Sequence, residues 1–544
     1  MITALREWRV GTDASGEATA PTRRWWLDLR ILAPIFAAAI YVAIVAVRFP
    51  SIISSFYQYS DFPEALRLGD AVFHGGWGQG LALPSQNGIG PLWTVGLLNQ
   101  VTGNEVAGMA LGAGMVVLAT GFMVVTARRV LGATRAIAVG ALCLAAPPVV
   151  AWVMLNPIAH ESTLLLAAVY AWHVVALSEP GQKRRIGSSI AVGALAGVCI
   201  VSDPLALAAA VAPWVICAAM LTHRRRESRL PLLLTLAASA TTAVCVVVLS
   251  TASGIVQHGN TVVAPTIDAI TSGLNTMATT LGQMLSGAWY SNAIGGALAV
   301  VGITAFAALL YIACREVVTR THDATDGRDI YVVFWVVSSA ALVAALCLSG
   351  LGVQHSPVNY QGHYLDGLWF AIAALLPMGL LHVGLARRLV AIAIPCLVLA
   401  AAFGIARMPA YPFQGPDYVD APRLAATLEQ LGVAHGYGGY WESYAFGWNT
   451  GQRVTVLPLQ QCADQRSALG LCAYEFAAPA WYVARAGPVF VVVLRGSCNR
   501  DDLCIDASNL ASLPPPVAVR NVGLLQVDVY AHDVFAGLPM ASRP

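Results

Sequence analysis

The chain has 544 residues, of which 57% are apolar and only 11% charged, and its mean hydropathy is +0.66. Soluble proteins carry about 25% charged residues, so this composition suits lipid rather than water as the main solvent. A net charge of +2 excludes nucleic-acid binding through bulk charge, and the placement of the charges says more than their sum.

Residues 1–30 form a polar, mixed segment, read as cytoplasmic. No small-residue cleavage site follows the first apolar run, so a signal peptide is not expected. Trp25 and Trp26, directly after Arg23 and Arg24, fit an interfacial anchor on the cytoplasmic side. A membrane domain is expected over 31–407, because a span needs roughly 17–25 apolar residues. The apolar runs are 31–47, 106–127, 136–155, 162–177, 186–201, 204–221, 230–249, 294–313, 330–348, 365–383 and 389–405, eleven in all. Arg128, Arg129, Arg135, Lys183, Arg184 and Arg185 fall in alternate connections with 223–229, 315–328 and 387–388, all basic. The intervening connections 156–161, 202–203, 251–293 and 349–364 hold almost no Lys or Arg. By the positive-inside rule the N-terminus is inside, and an odd number of spans puts the tail outside. The stretch 251–290 is long for a loop and mildly apolar, and predicts an interfacial helix ending at Trp289 and Tyr290.

The large first external loop, 50–105, places Asp61, Glu64, Arg67, Asp70 and His74 within fourteen positions of a charge-poor chain. Ionisable groups otherwise gather at the outer ends of the runs: His160, Glu161, Asp203, His258, His355, His363 and Asp366. A proton-coupled transporter would place acids or histidines near the bilayer midplane. A polar cluster at the outer boundary can instead meet a lipid-anchored substrate from one side and a water-borne acceptor from the other.

The tail, 408–544, is richer in charge, Pro and Gly. Residues 422–431 have helical spacing, and the Val-rich runs 454–457, 489–494 and 525–530 read as strands. The fold class is therefore an α-helical polytopic membrane protein of about eleven transmembrane helices with a soluble C-terminal α/β domain. Cys462, Cys472, Cys498 and Cys504 lie in the tail and suggest two disulfides, of three connectivities, with the sequence-local pairs favoured. No CxxC spacing supports a zinc site. The other seven of the eleven cysteines lie in or beside the apolar runs, where a thiol behaves as a small apolar group.

The chain resembles the GT-C class of integral membrane glycosyltransferases, the group of the protein O-mannosyltransferases and lipid A aminoarabinose transferases. The matching pieces are Asp61-Phe62-Pro63-Glu64, Gly90-Pro91-Leu92-Trp93, the stretch Asn156-Pro157-Ile158-Ala159-His160-Glu161-Ser162 and the segment Tyr360-Gln361-Gly362-His363-Tyr364-Leu365. The tail stretch GYGGYWESYAFGW at 436–448 also looks like a segment of some bacterial members. The resemblance implies a sugar donor carried on polyprenyl phosphate, a glycan, lipid or protein acceptor in the cell envelope, and an essential acid, Asp61, soon after the first span. The first loop holds Asp61 with Glu64 three residues on, not a paired Asp-Glu or Asp-x-Asp. That argues against a metal-bound diphosphate donor; no metal site or cofactor is required, and a divalent cation is compatible.

Moving a sugar from phosphate to a hydroxyl needs a base near the acceptor oxygen and stabilisation of the departing phosphate. Asp61 can be the base, and Glu64 at i+3 can share its face of a short helix. Arg67, His160, His355 and His363 offer cations or donors for the phosphate, with Glu161 beside His160. Tyr59, Tyr360 and Tyr364, with Tyr57 and Trp77, can stack on sugar faces. One base and one displacement predict inversion at the anomeric carbon. Each residue also has a plain structural reading: Asp61 caps a helix that Pro63 opens, His160 and Glu161 mark a turn, and Asp203-Pro204 is a tight turn. The alternative function is a non-catalytic transporter or scaffold for lipid-linked envelope precursors.

Overall fold

A computed structural model describes residues between 29 and 541, apart from 57–63, 68, 70–72, 74–81, 84–94, 105, 157–159, 180–184, 225–227, 258–264, 289–295, 320–326, 350–359, 382–384, 409–420 and parts of 441–452, 463–468, 476–478 and 497–503. The helices of the first part are α1 (Leu29–Phe56), α2 (Leu97–Thr102), α3 (Val106–Leu131), α4 (Ala133–Leu144), α5 (Pro148–Leu155), α6 (Glu161–Ser178) and α7 (Arg185–Ser202). There follow α8 (Ala212–Arg224), α9 (Arg229–Ala252), α10 (Ile267–Ser286), α11 (Gly296–Thr319), α12 (Gly327–Leu348), α13 (Asp366–Leu375) and α14 (Leu385–Arg407). Among the described residues, nine helical stretches are long and apolar enough to cross a membrane, or ten if α4 and α5 count as one bent span.

Two of the eleven apolar runs therefore differ from simple spans, both for a local reason. The run 136–155 breaks into α4 and α5 with a bend of 78°. Pro147 and Pro148 stand at the break and have no N–H to continue the helical ladder. The run 204–221 opens with a π-helical turn, Leu207–Val211, and leaves α8 shorter than a span. Such turns are frequent at functional sites.

The outer helices turn their large apolar side chains outward, the inverse of a soluble protein. Only 17% of the α9 window is buried, with Leu233, Val244 and Leu249 exposed, whereas 83% of α6 and 89% of Gly362–Leu380 are buried. α6 and α13 thus form the centre of the bundle, and the fully buried Trp152, Trp214, Trp335 and Trp369 fill it. α7 and α9 pack through a Gly-x-x-x-Gly stripe. A Cβ on Gly193 would lie 2.3 Å from the Thr235 carbonyl, and one on Gly197 2.5 Å from that of Ser239. Backbones can approach this closely in lipid only where side chains are absent.

At one end of the bundle two long connections meet. β1 (Ala82–Leu83), in the first loop, pairs in parallel with β2 (Val256–Gln257), from the connection after α9. α10 occupies much of the stretch read as an interfacial helix and packs on α11, α12 and α14. Its expected anchor, Trp289 and Tyr290, lies outside the described residues.

After 408 the chain forms α15 (Ala421–Leu431) and strands β3 (His435–Gly439), β4 (Thr455–Gln461), β5 (Leu471–Ala473), β6 (Val489–Leu494), β7 (Ala518–Val522) and β8 (Leu525–Tyr530). The helix and the three Val-rich strands stand where the sequence puts them. The sheet order is β5-β4-β3-β6-β8-β7, with β4, β3 and β6 parallel and the remaining pairs antiparallel. Both faces are covered. Val491 and Val493 join Tyr437 and Leu457 on one face, while Phe490 and Val492 meet Leu424 and Leu428 of α15 on the other. That split is the two-residue period of a strand buried on both sides. Cys462 and Cys472 are disulfide-bonded across β4 and β5, with Cα atoms 5.2 Å apart. Cys504 is also disulfide-bonded, and Cys498 lies outside the described residues.

Candidate functional site

A cluster of buried polar side chains lies where α6 begins. His160 stands at the N-cap position of α6, and Glu161 is in its first turn. Asp203 follows the end of α7, just before Pro204 starts the irregular turn that leads to α8. That turn fixes the carboxylate, since the Leu205 N–H donates to Asp203 Oδ1 at 2.9 Å. Oδ2 takes two further bonds: His160 Nδ1 lies 2.8 Å away, and the Thr163 hydroxyl, one turn into α6, donates to the same oxygen. α6 and α7 thus meet through an aspartate–histidine pair. Its carboxylate orients the ring and fixes the proton on Nδ1.

A third element closes the cluster. The 3₁₀ turn Tyr360–Leu365 leads into α13 and carries His363 and Tyr364 against the pair. The His363 ring stacks on His160, with centroids 5.6 Å apart and planes within 12°, and Tyr364 tilts onto His160 at 5.4 Å. Asp366 opens α13. Its Oδ1 accepts the Gly367 N–H at 2.6 Å, while its Oδ2 is buried with no hydrogen-bond partner among the described residues. Oε1 of Glu161 is likewise buried without one among the described residues. Glu161, Asp203 and Asp366 are each at most 2% exposed, and all three act electrostatically on His160. Burial works against a charge on this ring. The Asp203 charge and hydrogen bond, joined by Asp366 and Glu161, outweigh it and raise the His160 pKa to about 9. The balance favours the protonated form of the imidazole. Asp203 takes Nδ1, which leaves Nε2 as the second donor of the protonated ring.

A second polar contact lies between the first loop and the tail. Residues 64–67 are helical, with Glu64, Ala65 and Leu66 buried. Glu64 Oε2 accepts the Tyr440 hydroxyl at 2.7 Å, and the Arg67 guanidinium lies 4.6 Å from the Trp481 ring centroid.

Of the residues singled out in the sequence, the fold brings His160, Glu161, His363 and Tyr364 into one cluster, and ties Glu64 and Arg67 to the tail. Tyr59, Asp61 and His355 lie outside the described residues, and Tyr360 is described by its backbone alone. Asp203 is the residue the sequence undervalues. Read as a tight turn, it is the carboxylate on which the cluster is built. Its local signal is an acid next to Pro at the end of an apolar run. Among the described residues, no group of three or more His, Cys, Asp or Glu is placed to hold a metal ion.

A further histidine lies midway along α6. His173 of α6 accepts the Trp214 Nε1–H at Nδ1 over 3.3 Å and meets the Ser189 hydroxyl through Nε2 at 3.0 Å. Both ring nitrogens are taken, so this group pins α6 to α7 and α8 and is no open proton relay.

No family model and no curated protein matches the chain. Solved structures do. The chain is similar to ArnT of Cupriavidus metallidurans bound to undecaprenyl phosphate, at 16% identity, over 91% of this chain and 98% of that one, with a TM-score of 0.45. The same protein in its apo state aligns at 16% identity over 90% and 97%, with a TM-score of 0.44. An oligosaccharyltransferase of Archaeoglobus fulgidus in its apo form aligns at 12% identity over 79% and 65%, with a TM-score of 0.40.

Proposed function

We propose that the protein is a membrane glycosyltransferase that moves a sugar from a polyprenyl-phosphate donor to a hydroxyl of a cell-envelope acceptor. The observation that carries this reading is the buried His160, held by Asp203 and stacked on His363 where the ends of α6, α7 and α13 meet. A preorganised cation in a site shielded from water stabilises a departing phosphate far better than one in solvent. In the reaction the anomeric C–O bond to phosphate breaks as the acceptor oxygen bonds to the same carbon. The leaving phosphate retains the electron pair and is met by His160 Nε2. The acceptor proton passes to a carboxylate, for which we assign Asp61 of the first loop. The single displacement inverts the anomeric configuration. Tyr364 flanks the imidazole and offers a ring face to the sugar.

The test compares wild type with Asp61→Asn and His160→Gln. The proteins are purified in lipid nanodiscs and offered radiolabelled polyprenyl-phosphate sugars with cell-envelope extract. Transfer by wild type, with losses of about a hundredfold or more in each variant, supports the assignment. Equal transfer by all three removes both residues from the reaction. Movement of labelled lipid across the bilayer without sugar transfer favours a transporter instead.

A further inference from the structure

The parallel strands of the tail leave one position exposed to use. From β3 the chain first moves to β4 on one side, and later returns as β6 on the other. In open α/β sheets a crevice forms outside the carboxyl ends of the strands where the order switches, and ligands sit there. In this protein the chain itself reaches that end. Tyr440 directly follows β3, and its hydroxyl donates to Glu64 of the first loop at 2.7 Å, with the two residues 4% and 5% exposed. The Tyr440 ring packs on Tyr474 at 4.8 Å, and the Tyr474 N–H is bonded to the Tyr482 hydroxyl. Beside Tyr482, on the 3₁₀ turn Pro479–Tyr482, Trp481 takes the Arg67 guanidinium over its ring.

Glu64 and Arg67 are three residues apart on one helical turn, so they share a face. The tail grips that face at two points with unlike chemistry, a hydroxyl on the carboxylate and an aromatic face on the cation. The Tyr440–Glu64 hydrogen bond is buried on both sides, so removing one partner leaves the other without a replacement from water.

We propose that the tail domain is the seat of the first external loop, and that Tyr440 and Trp481 are positioning residues for the segment that carries Asp61. The consequence for catalysis rests on the transferase reading above; the seating does not. Asp61 precedes Glu64 by three residues, so the turn held at Glu64 and Arg67 is the described part of the chain nearest to it in sequence. A displacement of about 1 Å at a reacting group costs up to a hundredfold in rate.

The experiment uses the full chain in nanodiscs and two variants that keep an aromatic ring, Tyr440→Phe and Trp481→Phe, with Trp481→Leu as the stronger change. Limited proteolysis followed by mass spectrometry reads cleavage within 57–73 against cleavage within the tail. Tyr440→Phe and Trp481→Leu are expected to raise first-loop cleavage severalfold at an unchanged tail rate, with Trp481→Phe close to wild type. In sugar transfer, Tyr440→Phe is expected to lower kcat about tenfold with donor KM within about twofold. Glu64→Gln combined with Tyr440→Phe should be no worse than the poorer single variant, as for partners in one bond. Unchanged first-loop cleavage in both Tyr440→Phe and Trp481→Leu overturns the seating. Altered cleavage with wild-type kcat overturns the positioning role alone. If wild type transfers no sugar at all, the transferase reading falls, and the cleavage result still decides the seat.

Discussion

Asp203 decides what His160 can do. Its Oδ2 is shared between the imidazole and the Thr163 hydroxyl, and its Oδ1 is bound by the Leu205 N–H, so the carboxylate has little freedom to turn away. Because the His160 pKa is raised from 6.5 to about 9, the stabilisation from the pair is complete below about 6.5 and is lost as pH rises through about 9. Both transfer and thermal stability are expected to fall on that alkaline side. Asp203→Asn removes the largest favourable influence on the ring's charge. It should shift the alkaline limb of the pH–rate profile downward by at least one pH unit and slow transfer at neutral pH about tenfold. A limb that stays near 9 in this variant would assign it to another group.

Helix contacts in this bundle depend on missing side chains as much as on present ones. At Gly193 and Gly197 the backbone of α7 touches carbonyls of α9, and nothing flexible stands there to move aside. Gly193→Leu is therefore expected to separate the two helices and lower stability by about 3 kcal/mol, whereas Gly187→Leu, which meets open space on the same helix, should stay near wild type. Thermal unfolding in nanodiscs compares the two. The separation would also drag on Asp203, since it directly follows α7, so Gly193→Leu should lose transfer activity beyond its loss of stability. Equal stabilities for the two leucine variants would mean that α7 and α9 do not pack through this stripe.

At the scale of the molecule, a lipid-facing bundle carries a small sheet domain whose aromatic edge meets the first loop. The charge asymmetry of the connections predicts that this domain lies outside. Protease added to intact spheroplasts should then remove the tail, and cleavage only in inverted vesicles would reverse the orientation. An external tail is also consistent with the Cys462–Cys472 bridge, which closes a short loop between paired strands. Replacing both cysteines by serine is expected to cost about 2–3 kcal/mol in the unfolding of the tail, with the membrane bundle unaffected.

Composition, the length of the apolar runs and the alternation of basic connections were enough to establish a polytopic helical chain, because a span in lipid must be apolar and internally hydrogen-bonded throughout. Val-rich runs likewise announced β4, β6 and β8 in the tail. His160, Glu161, His363 and Tyr364 were legible as candidates because polar groups are costly at a lipid boundary and few in this chain. Their convergence was not legible, nor was the rank of Asp203. The cluster joins positions 160, 203 and 363–366, whose proximity depends on how α6, α7 and α13 pack, and a single sequence carries no record of that pairing. The same holds for Glu64 and Tyr440, 376 residues apart. Local spacing determined which residues share a helical turn, while only tertiary packing decided that a tail tyrosine would be buried against the first loop's acid.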